Sequence, residues 1–470
     1  MMLPTEFKNR MARLLGDEAD VFFDALENES AVKSFRVNSI KTSAEDFEKS
    51  PSKIDRKKAD FPPECYYTEE QFPGSFAAHH SGAIYMQDPS AMATVHAVKL
   101  TEGMRVLDSC SAPGGKTTQL AAAVGDSGVV VANEYDTKRC RILQGNVERM
   151  GCRNTVVVNL DTAALAQSYP ETFDVVLADA PCSGEGMFRK NSLAISEWSP
   201  QNVEMCAERQ REILENVAKC VKKGGALIYS TCTFSLEENE MNVDWFLNTH
   251  KDFSLSCVES GLESVTVGGI SFEGCASDMS KARRFYPHIS CGEGQFIAVM
   301  TRDGEPEKPY IEKDKKQKNE KTGKRDLRSV EALTVAREFL EKNLVKMPEF
   351  ELCLIGDNVY LKPDVNLTPY GVFAAGVCVG EVVKGRLVPH HQLFSAYGNS
   401  FKLKICLDSN MPETADYLCG MEIDCEGLLE SADGVMSGYA AVLIDGCATG
   451  GAKVSQNKAK NHYPKGLRER

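Results

Sequence analysis

The stretch Val106-Leu-Asp-Ser-Cys-Ser-Ala-Pro-Gly-Gly-Lys-Thr-Thr-Gln-Leu120 decides the fold of this chain. It begins at the end of an apolar run, passes through small residues and a Pro-Gly-Gly turn, and ends in a run of good helix formers. This order predicts a strand, a tight loop and a helix. Glycines in the turn let a ligand approach the backbone, and the helix N-terminus offers free N–H groups. We therefore expect the loop to hold a cofactor with acidic or polar groups.

Two common nucleotide-binding loops do not fit this stretch. The phosphate loop has a glycine five residues before its Gly-Lys-Thr sequence, whereas this chain has Cys110 there. Pro113 also removes an N–H donor from the middle of the loop. The Gly-x-Gly-x-x-Gly fingerprint of dinucleotide-binding proteins is absent from the stretch as well. The loop therefore favours a different ligand.

The apolar runs that follow along the chain each end in a carboxylate: Glu134, Asp161 and Asp179. Continuous apolar runs are typical of buried parallel strands. An acid at the end of the second strand is the usual partner of a ribose hydroxyl pair. Three strand-end acids beside a glycine-rich loop suit a nucleoside with a charged amino-acid tail, which describes S-adenosylmethionine. We expect Glu134 to bind the ribose and Asp161 the adenine edge.

Several motifs together resemble one enzyme family. Three occur in the order Asp108-Ser-Cys-Ser-Ala-Pro-Gly-Gly-Lys116, Asp179-Ala-Pro-Cys-Ser-Gly184 and Ser230-Thr-Cys-Thr233. They resemble motifs of the RNA cytosine-5 methyltransferases of the NOL1/NOP2/Sun family, and so do Phe35-Arg-Val-Asn38 and Gln87-Asp-Pro-Ser90. The segment Asn461-His-Tyr-Pro-Lys-Gly-Leu467 resembles the tail of the bacterial branch that methylates small-subunit ribosomal RNA. The resemblance implies S-adenosylmethionine as cofactor and ribosomal RNA, free or within the small subunit, as substrate.

The chemistry of this family requires a reactive thiol. Carbon 5 of cytosine becomes nucleophilic only after a thiolate has added to carbon 6. Cys182 and Cys232 each follow a predicted strand end, and the ends of adjacent parallel strands lie close in space. The residues alone do not decide which thiol attacks. The resemblance implies that Cys232 is the nucleophile and that Cys182 aids product release.

The remaining site residues are assigned by their place beside the loop. We expect Asp179 to bind the cytosine edge while bordering the cofactor. Lys116 either orients Asp179 or the base, or is a helix-start lysine without a role. The residues expected to hold the cofactor are Cys110, Ser111, Ala112, Pro113, Gly114, Gly115, Lys116, Glu134, Asp161 and Asp179.

The composition bounds the class of protein. The 470 residues carry a net charge of −13, which disfavours simple nucleic-acid binding unless positive charge is concentrated locally, as in 313–328 and 453–470. The 17 cysteines include no Cys-x-x-Cys pair, which favours buried thiols in a reducing cytoplasm over disulfides or zinc. The pair His79-His80 lacks a third ligand at metal spacing. No run of about 18 apolar residues occurs. We expect a cytoplasmic monomer with no metal and no membrane span.

Alternating strands and helices between residues 82 and 302 predict an α/β fold with a doubly wound parallel sheet, which for this family is a Rossmann-like methyltransferase core. The expected organisation is an N-terminal RNA-binding extension (1–81) that opens with two amphipathic helices, a methyltransferase catalytic domain (82–302), a charged linker (303–330), a small α+β domain (331–390) and a PUA-like RNA-binding domain (391–470). The PUA assignment rests on the resemblance alone.

Three local predictions concern the core. We expect a helix over 137–150, a second helix over 201–223 that ends at Gly224-Gly225, and a capping box at 235–238 that opens the next helix.

Two alternative functions stay open at this point. The catalytic core does not exclude transfer RNA as the substrate. A non-catalytic RNA-binding or assembly factor with a vestigial cofactor site is the alternative from another class, and Cys182, Cys232 and Asp179 count against it.

Overall fold

The computed structural model describes residues 3–71, 73–259, 261–290, 292–305 and 325–469. Residues 306–324, which include most of the expected linker and of the basic stretch 313–328, therefore lie outside the described residues. The described chain forms four sheets, of four, ten, four and six strands. None of its helices is long and apolar enough to cross a lipid bilayer.

The N-terminal segment builds a small sheet in the order β2-β3-β1-β4, preceded by two amphipathic helices. Its elements are α1 (Thr5–Leu15), α2 (Ala19–Asn28), β1 (Ser34–Val37), α3 (Ala44–Lys49), β2 (Lys57–Lys58), β3 (Cys65–Tyr67), α4 (Ala77–His80), β4 (Ile84–Met86) and α5 (Pro89–Ala93). The two helices at its start confirm the sequence pattern. Strand β4 lies beyond the expected boundary at residue 81.

The central segment builds most of the ten-stranded sheet. Its elements are β5 (Arg105–Asp108), α6 (Gly115–Val124), β6 (Val129–Asn133), α7 (Thr137–Met150), β7 (Thr155–Val158), α8 (Thr162–Ser168), β8 (Phe173–Asp179), α9 (Ser192–Glu197), α10 (Pro200–Val217), β9 (Val221–Thr231), α11 (Glu240–Thr249), β10 (Phe253–Ser256), β11 (Val267–Gly268), β12 (Arg283–Phe285) and β13 (Gln295–Arg302). Helix α7 has the predicted bounds.

The C-terminal segment forms the remaining two sheets. Its elements are α12 (Arg325–Asn343), β14 (Glu351–Ile355), β15 (Asn358–Lys362), β16 (Val372–Ala375), β17 (Val377–Val383), β18 (Arg386–Pro389), α13 (His391–Tyr397), β19 (Leu403–Leu407), α14 (Pro412–Cys419), β20 (Ile423–Asp424), β21 (Leu429–Ser431), β22 (Gly438–Ile444), β23 (Cys447–Ser455) and β24 (Lys458–Asn461).

The central sheet has the order β11-β12-β13-β9-β8-β5-β6-β7-β16. The five strands from β9 to β7 are parallel, and β13 runs antiparallel beside β9. Alternate strand residues pack into two apolar cores, such as Val131 on one face and Val130 on the other. This is the predicted Rossmann-like sheet, and it brings the ends of β5, β6, β8 and β9 to one edge.

Strand β16 joins this sheet from outside the expected catalytic domain. It pairs antiparallel with β7, with Val372 opposite Val158 and Ala375 opposite Val156. The apolar strand β7 would otherwise be an uncovered sheet edge, which favours pairing with other chains. The segment expected as a separate α+β domain therefore contributes to the core sheet.

The two local predictions in the second half of the core are wrong. Helix α10 ends at Val217, and Gly224-Gly225 lies inside β9. The pairing of β8 with β9 shifts register between Phe173 and Val175, so that Gly225 faces Asp174. Such a bulge leaves too little space for a side chain, since a Cβ on Gly225 would lie 2.9 Å from the Asp174 carbonyl oxygen.

The expected capping box does not form. Helix α11 begins at Glu240, and the Ser235 hydroxyl donates to the Glu237 carboxylate. The Glu238 side chain reaches away from the helix, to Ser183. A long-range contact has therefore replaced the local cap.

Candidate active site

The loop between β5 and α6 has a backbone that glycine makes possible. Gly114 has a φ of +111°, in the left-handed region that favours glycine. A Cβ on Gly115 would lie 3.2 Å from Tyr85 Cε1 and 3.3 Å from Gln87 Cδ. Because both positions lack a side chain, the loop turns sharply and packs closely against the N-terminal segment.

A cavity of about 210 Å³ lies beside this loop at the carboxyl edge of the sheet. The residues that line it are Tyr85, Met86, Gln87, Ala91, Asp108, Cys110, Ser111, Ala112, Pro113, Gly115, Lys116 and Asp179. The structure thus brings together most of the residues expected at the cofactor. Gly114, Glu134 and Asp161 lie outside the lining.

Asp108 is a cavity residue that the sequence reasoning missed, although it too is an acid at a strand end. Its side chain is buried, and Oδ2 accepts a hydrogen bond from Thr117 Oγ1 at 2.6 Å. Oδ1 has no partner among the described residues. Burial raises the pKa of Asp108 to about 7, against the hydrogen bond from Thr117. An unpaired buried carboxylate oxygen beside a cavity fits a ligand with a hydrogen-bond donor or a positive charge.

Glu134 lies next to the loop at the end of β6. Its buried carboxylate accepts the Asp136 backbone N–H at 2.9 Å and lies 3.3 Å from an Arg139 nitrogen. Arg139 also donates to the Ala112 carbonyl oxygen at 2.8 Å. Through Arg139, Glu134 is therefore tied to the cofactor loop.

Asp161 has a local role that its position at a strand end did not reveal. It is the N-cap of α8, where its carboxylate accepts the Ala164 backbone N–H at 2.7 Å. The residue is exposed. Its expected contact with an adenine edge stays a prediction.

The two candidate cysteines meet where β8 and β9 end. These strands are parallel neighbours with Asp179 opposite Ser230, and the two thiol sulfurs lie 3.3 Å apart. The contact with Cys232, together with burial, raises the pKa of Cys182 well above its ordinary value. Cys182 is therefore a protonated thiol beside the Cys232 sulfur, and both can face one base.

Asp179 is held from three sides. Lys116 Nζ lies 2.8 Å from Oδ2, Ser230 Oγ donates to Oδ1 at 2.7 Å, and Gln295 Nε2 donates at 3.3 Å. Burial alone would lower the pKa of Lys116, but the attraction of Asp179 outweighs it and raises that pKa. Of the two interpretations of Lys116, the structure supports the one in which it orients Asp179.

The two N-terminal motifs hold the start of α6. Arg36 is buried and donates to Thr118 Oγ1 at 2.8 Å and to the Gly115 carbonyl oxygen at 3.3 Å. Its Nε donates to Gln87 Oε1 at 3.3 Å. Both motifs contribute to the family resemblance, but their role in holding α6 follows only from these folded-state contacts.

The histidine pair lies at a structural junction. His80 contacts the Tyr463 hydroxyl and the Glu469 carboxylate, each at 3.1 Å. Among the described residues, no group of three or more histidine, cysteine, aspartate or glutamate side chains is arranged to hold a metal ion.

Three family models match consecutive parts of the chain. Residues 3–89 match the N-terminal domain of 16S rRNA methyltransferase RsmF. Residues 95–301 match 16S rRNA methyltransferase RsmB/F, and residues 404–469 match the methyltransferase RsmF PUA domain. The C-terminal module expected as PUA-like is thus a PUA domain.

Full-length relatives and solved structures agree with these models. Ribosomal RNA small subunit methyltransferase F of Vibrio parahaemolyticus is 31% identical over 93% of this chain and 91% of its own length. The protein of that name from a Shewanella species is 31% identical over 93% of this chain and 90% of its own. A methyltransferase homologue from Pyrococcus horikoshii superposes with a TM-score of 0.54 at 28% identity, covering 64% of this chain and 95% of that one. The chain therefore belongs to the RsmB/F family of 16S rRNA methyltransferases.

Proposed function

We propose that the protein transfers a methyl group from S-adenosylmethionine to carbon 5 of a cytosine in 16S ribosomal RNA. The observation that carries this proposal is the thiol pair, Cys182 and Cys232, which lie 3.3 Å apart just beyond the ends of β8 and β9, where the cavity residue Asp179 lies opposite Ser230. Two thiols at one point suit a reaction that forms and then breaks a carbon–sulfur bond. The names of the relatives support ribosomal RNA as the substrate.

The cavity residues fit the cofactor. The unpaired oxygen of Asp108 suits the ammonium of the amino-acid tail, and the closely approaching backbone of the loop suits its carboxylate. Glu134 would hold the ribose hydroxyls and Asp161 the adenine edge. When bound, S-adenosylmethionine supplies an electrophilic methyl group.

The side chains of the protein perform the remaining steps on the base. The target cytosine leaves its stack, and Asp179, fixed by Lys116, accepts a hydrogen bond from its exocyclic amino group. The Cys232 thiolate adds to carbon 6, and the π electron pair of the C5–C6 bond forms a new bond from carbon 5 to the methyl carbon. The bond from that methyl carbon to the sulfonium sulfur breaks at the same time, and its electron pair leaves with S-adenosylhomocysteine. The proton on carbon 5 then leaves to a base, its electrons restore the C5–C6 double bond, and Cys232 departs as a thiolate. Cys182 lies beside the C6–S bond that must break.

Substitution of each cysteine tests this assignment. Cys232→Ala is expected to give neither methyl transfer nor a covalent complex, because nothing adds to carbon 6. Cys182→Ala is expected to accumulate a protein–RNA adduct that survives denaturing electrophoresis, because bond cleavage stalls. The double variant serves as the control and should form no adduct.

Two results would overturn parts of the proposal. An adduct with Cys232→Ala and none with Cys182→Ala would exchange the two roles, whereas intact methylation in both variants would exclude thiol catalysis. Bisulfite mapping of RNA from a deletion strain tests the substrate. If 5-methylcytosine disappears from transfer RNA and not from 16S ribosomal RNA, the assigned substrate is wrong.

A further inference from the structure

Glu238 is a fully buried carboxylate between the second cysteine and α11. It accepts hydrogen bonds from the backbone N–H and the hydroxyl of Ser183, the former at 2.9 Å, and from Gln210 Nε2 at 2.8 Å. Both carboxylate oxygens therefore accept hydrogen bonds within the protein. None of these donors belongs to α11, the helix that the sequence pattern predicts Glu238 to cap.

The same contacts hold the residues on both sides of Cys182. Ser183 directly follows Cys182, and Gln210 Nε2 also donates to the carbonyl oxygen of Pro181 at 3.0 Å. Glu238 therefore holds the chain on both sides of Cys182, once directly and once through Gln210.

A further hydrogen bond extends this arrangement to the second cysteine. The hydroxyls of Ser183 and Thr233 lie 2.9 Å apart, and Thr233 directly follows Cys232. One carboxylate is thus connected to the residue that follows each thiol.

The surroundings of Glu238 make its protonation state sensitive to pH near neutrality. The titratable groups that face it are Glu185, Cys182, Cys206 and Tyr229, and no cation is among its hydrogen-bond donors within the described residues. Burial raises the pKa of Glu238 to about 7, although hydrogen bonds from Ser183 and Gln210 act in the opposite direction. A protonated Glu238 carries a donor of its own and cannot accept from all three groups.

We propose that Glu238 is the positioning residue that sets the separation of the Cys182 and Cys232 thiols. It touches neither substrate nor cofactor and acts through Ser183, Gln210 and Thr233. This inference rests on the proposed thiol chemistry, and it adds a residue that couples the two cysteine loops. With Glu238 ionised, both loops are fixed. With Glu238 protonated or replaced by an amide, one end of the side chain becomes a donor, and the Ser183 hydroxyl, which donates to it in the ionised state, has to turn and accept instead.

Glu238→Gln in the full-length protein tests the inference. The rate of methyl transfer with both cysteines present, and the rate of adduct formation in a Cys182→Ala background, are measured with 16S ribosomal RNA and S-adenosylmethionine across pH. Misplacing a reacting group by a fraction of an ångström to 1 Å slows reactions by up to about 100-fold, so we expect adduct formation to be about 10- to 100-fold slower. S-adenosylmethionine affinity should be unchanged.

The pH profiles of the methyl-transfer and adduct-formation rates give a second readout. With Glu238 intact, both rates should fall more steeply below about pH 7 than they do in Glu238→Gln, because Glu238 then becomes protonated. Glu238→Gln should lack this additional acid limb, because an amide does not titrate.

Asp244→Asn is the matched control. Asp244 is also a buried carboxylate near the start of α11, but it accepts from the backbone N–H groups of Ala276 and Ser277, each at 3.1 Å, which lie next to neither catalytic cysteine. This variant should lose thermal stability while keeping the additional acid limb. If Glu238→Gln does not fold, Ser183→Ala removes one of the hydrogen bonds and should slow adduct formation in the same assay.

The outcomes separate this inference from the proposed function. If the Cys182→Ala protein with Glu238 intact forms no adduct, the proposed chemistry fails. If it forms the adduct and Glu238→Gln forms it at the same rate with the same acid limb, only the positioning role fails. If Asp244→Asn also loses the additional acid limb of the pH profile, Glu238 has only a general structural role.

Discussion

Two aspartates that end neighbouring strands at the active site are held in opposite ways. Asp179 receives hydrogen bonds from Lys116, Ser230 and Gln295. Asp108 receives one from Thr117 and keeps one oxygen unpaired in a buried place. The environment thus fixes Asp179 in position and leaves Asp108 ready to pair with a ligand.

This difference predicts a pH dependence of cofactor binding. Burial raises the pKa of Asp108 to about 7, so its ionised form, which attracts an ammonium, predominates only above that pH. We expect S-adenosylmethionine affinity to fall as pH drops below about 7, by at most about tenfold per pH unit. Calorimetry at several pH values measures this effect. Asp108→Asn should bind more weakly at pH 8 and show a flat profile, and a profile in this variant that still falls below pH 7 would contradict the assignment.

A second prediction compares the two other strand-end acids. Glu134→Ala should weaken S-adenosylmethionine binding by about 1.5–3 kcal/mol, the typical contribution of a charge-assisted hydrogen bond. Asp161→Ala should in addition lower the free energy of unfolding by about 1 kcal/mol, because Asp161 caps α8. Calorimetry and urea unfolding of both variants distinguish the two effects. An unchanged affinity in Glu134→Ala would exclude its role at the ribose.

Among the helices and strands, a boundary set by neighbouring residues is predicted more accurately than one set by contacts with residues distant in sequence. Helix α7 has the predicted bounds because its end signals are local: Asp136 caps its start, and Gly151 ends it in a left-handed conformation. The end of α10 was placed wrongly because the residues after Val217 pair with β8, which is distant in sequence. Glu238 was misread for the same reason, since its partner Ser183 lies 55 residues away.

The site shows the same division. The loop, Asp179 and the two cysteines can be proposed from the sequence because each follows a strand in a recognisable motif. The unpaired oxygen of Asp108 and the role of Arg36 depend on contacts that form only in the folded chain. No spacing in the sequence encodes such contacts, and they therefore required the structure.

The N-terminal strand β1 is expected to matter for the cofactor helix. Arg36→Met would remove its hydrogen bonds to Thr118 and Gly115 and leave a buried acceptor unpaired, at a cost of about 1–3 kcal/mol of unfolding free energy. S-adenosylmethionine affinity should fall together with the free energy of unfolding. Arg56→Met is the control, because the hydrogen bonds of Arg56 within the described residues go to backbone oxygens of the same segment, such as that of Glu48. Equal reductions of cofactor affinity in both variants would show that Arg36 has no specific effect on α6.

At the scale of the whole molecule, the domains share structure. Strand β16 completes the central sheet, and Ser395 on α13 donates to the Glu148 carbonyl oxygen of α7 at 2.6 Å. Removal of everything beyond residue 330 would therefore uncover the apolar edge of β7. The division at residues 81, 302, 330 and 390 stays a prediction, and the role of the C-terminal module is better tested by substitution than by truncation.

The basic C-terminal segment is expected to supply RNA affinity to a chain of net charge −13. Lys460 and Lys465 are exposed in the segment matched by the PUA model. If both bind phosphates, Lys460→Glu with Lys465→Glu should weaken RNA binding and lower the slope of log affinity against log salt by about 0.7–0.9 for each phosphate that is no longer neutralised. Methyl transfer at saturating RNA should remain, because Lys460 lies on β24 of the six-stranded sheet and Lys465 follows it, whereas the thiols follow β8 and β9 of the central sheet.

The control makes the same change in charge elsewhere, with Arg337→Glu and Lys342→Glu on the exposed side of α12. Because net charge changes equally in both proteins, a purely long-range effect would weaken RNA binding equally in the two double variants. A local effect confined to Lys460 and Lys465 would place phosphate binding on the PUA domain. If the salt slope is unchanged in the Lys460 and Lys465 variant, this segment is not part of the RNA interface. The next candidate would be the N-terminal segment, whose exposed Lys57 and Lys58 form the edge strand β2.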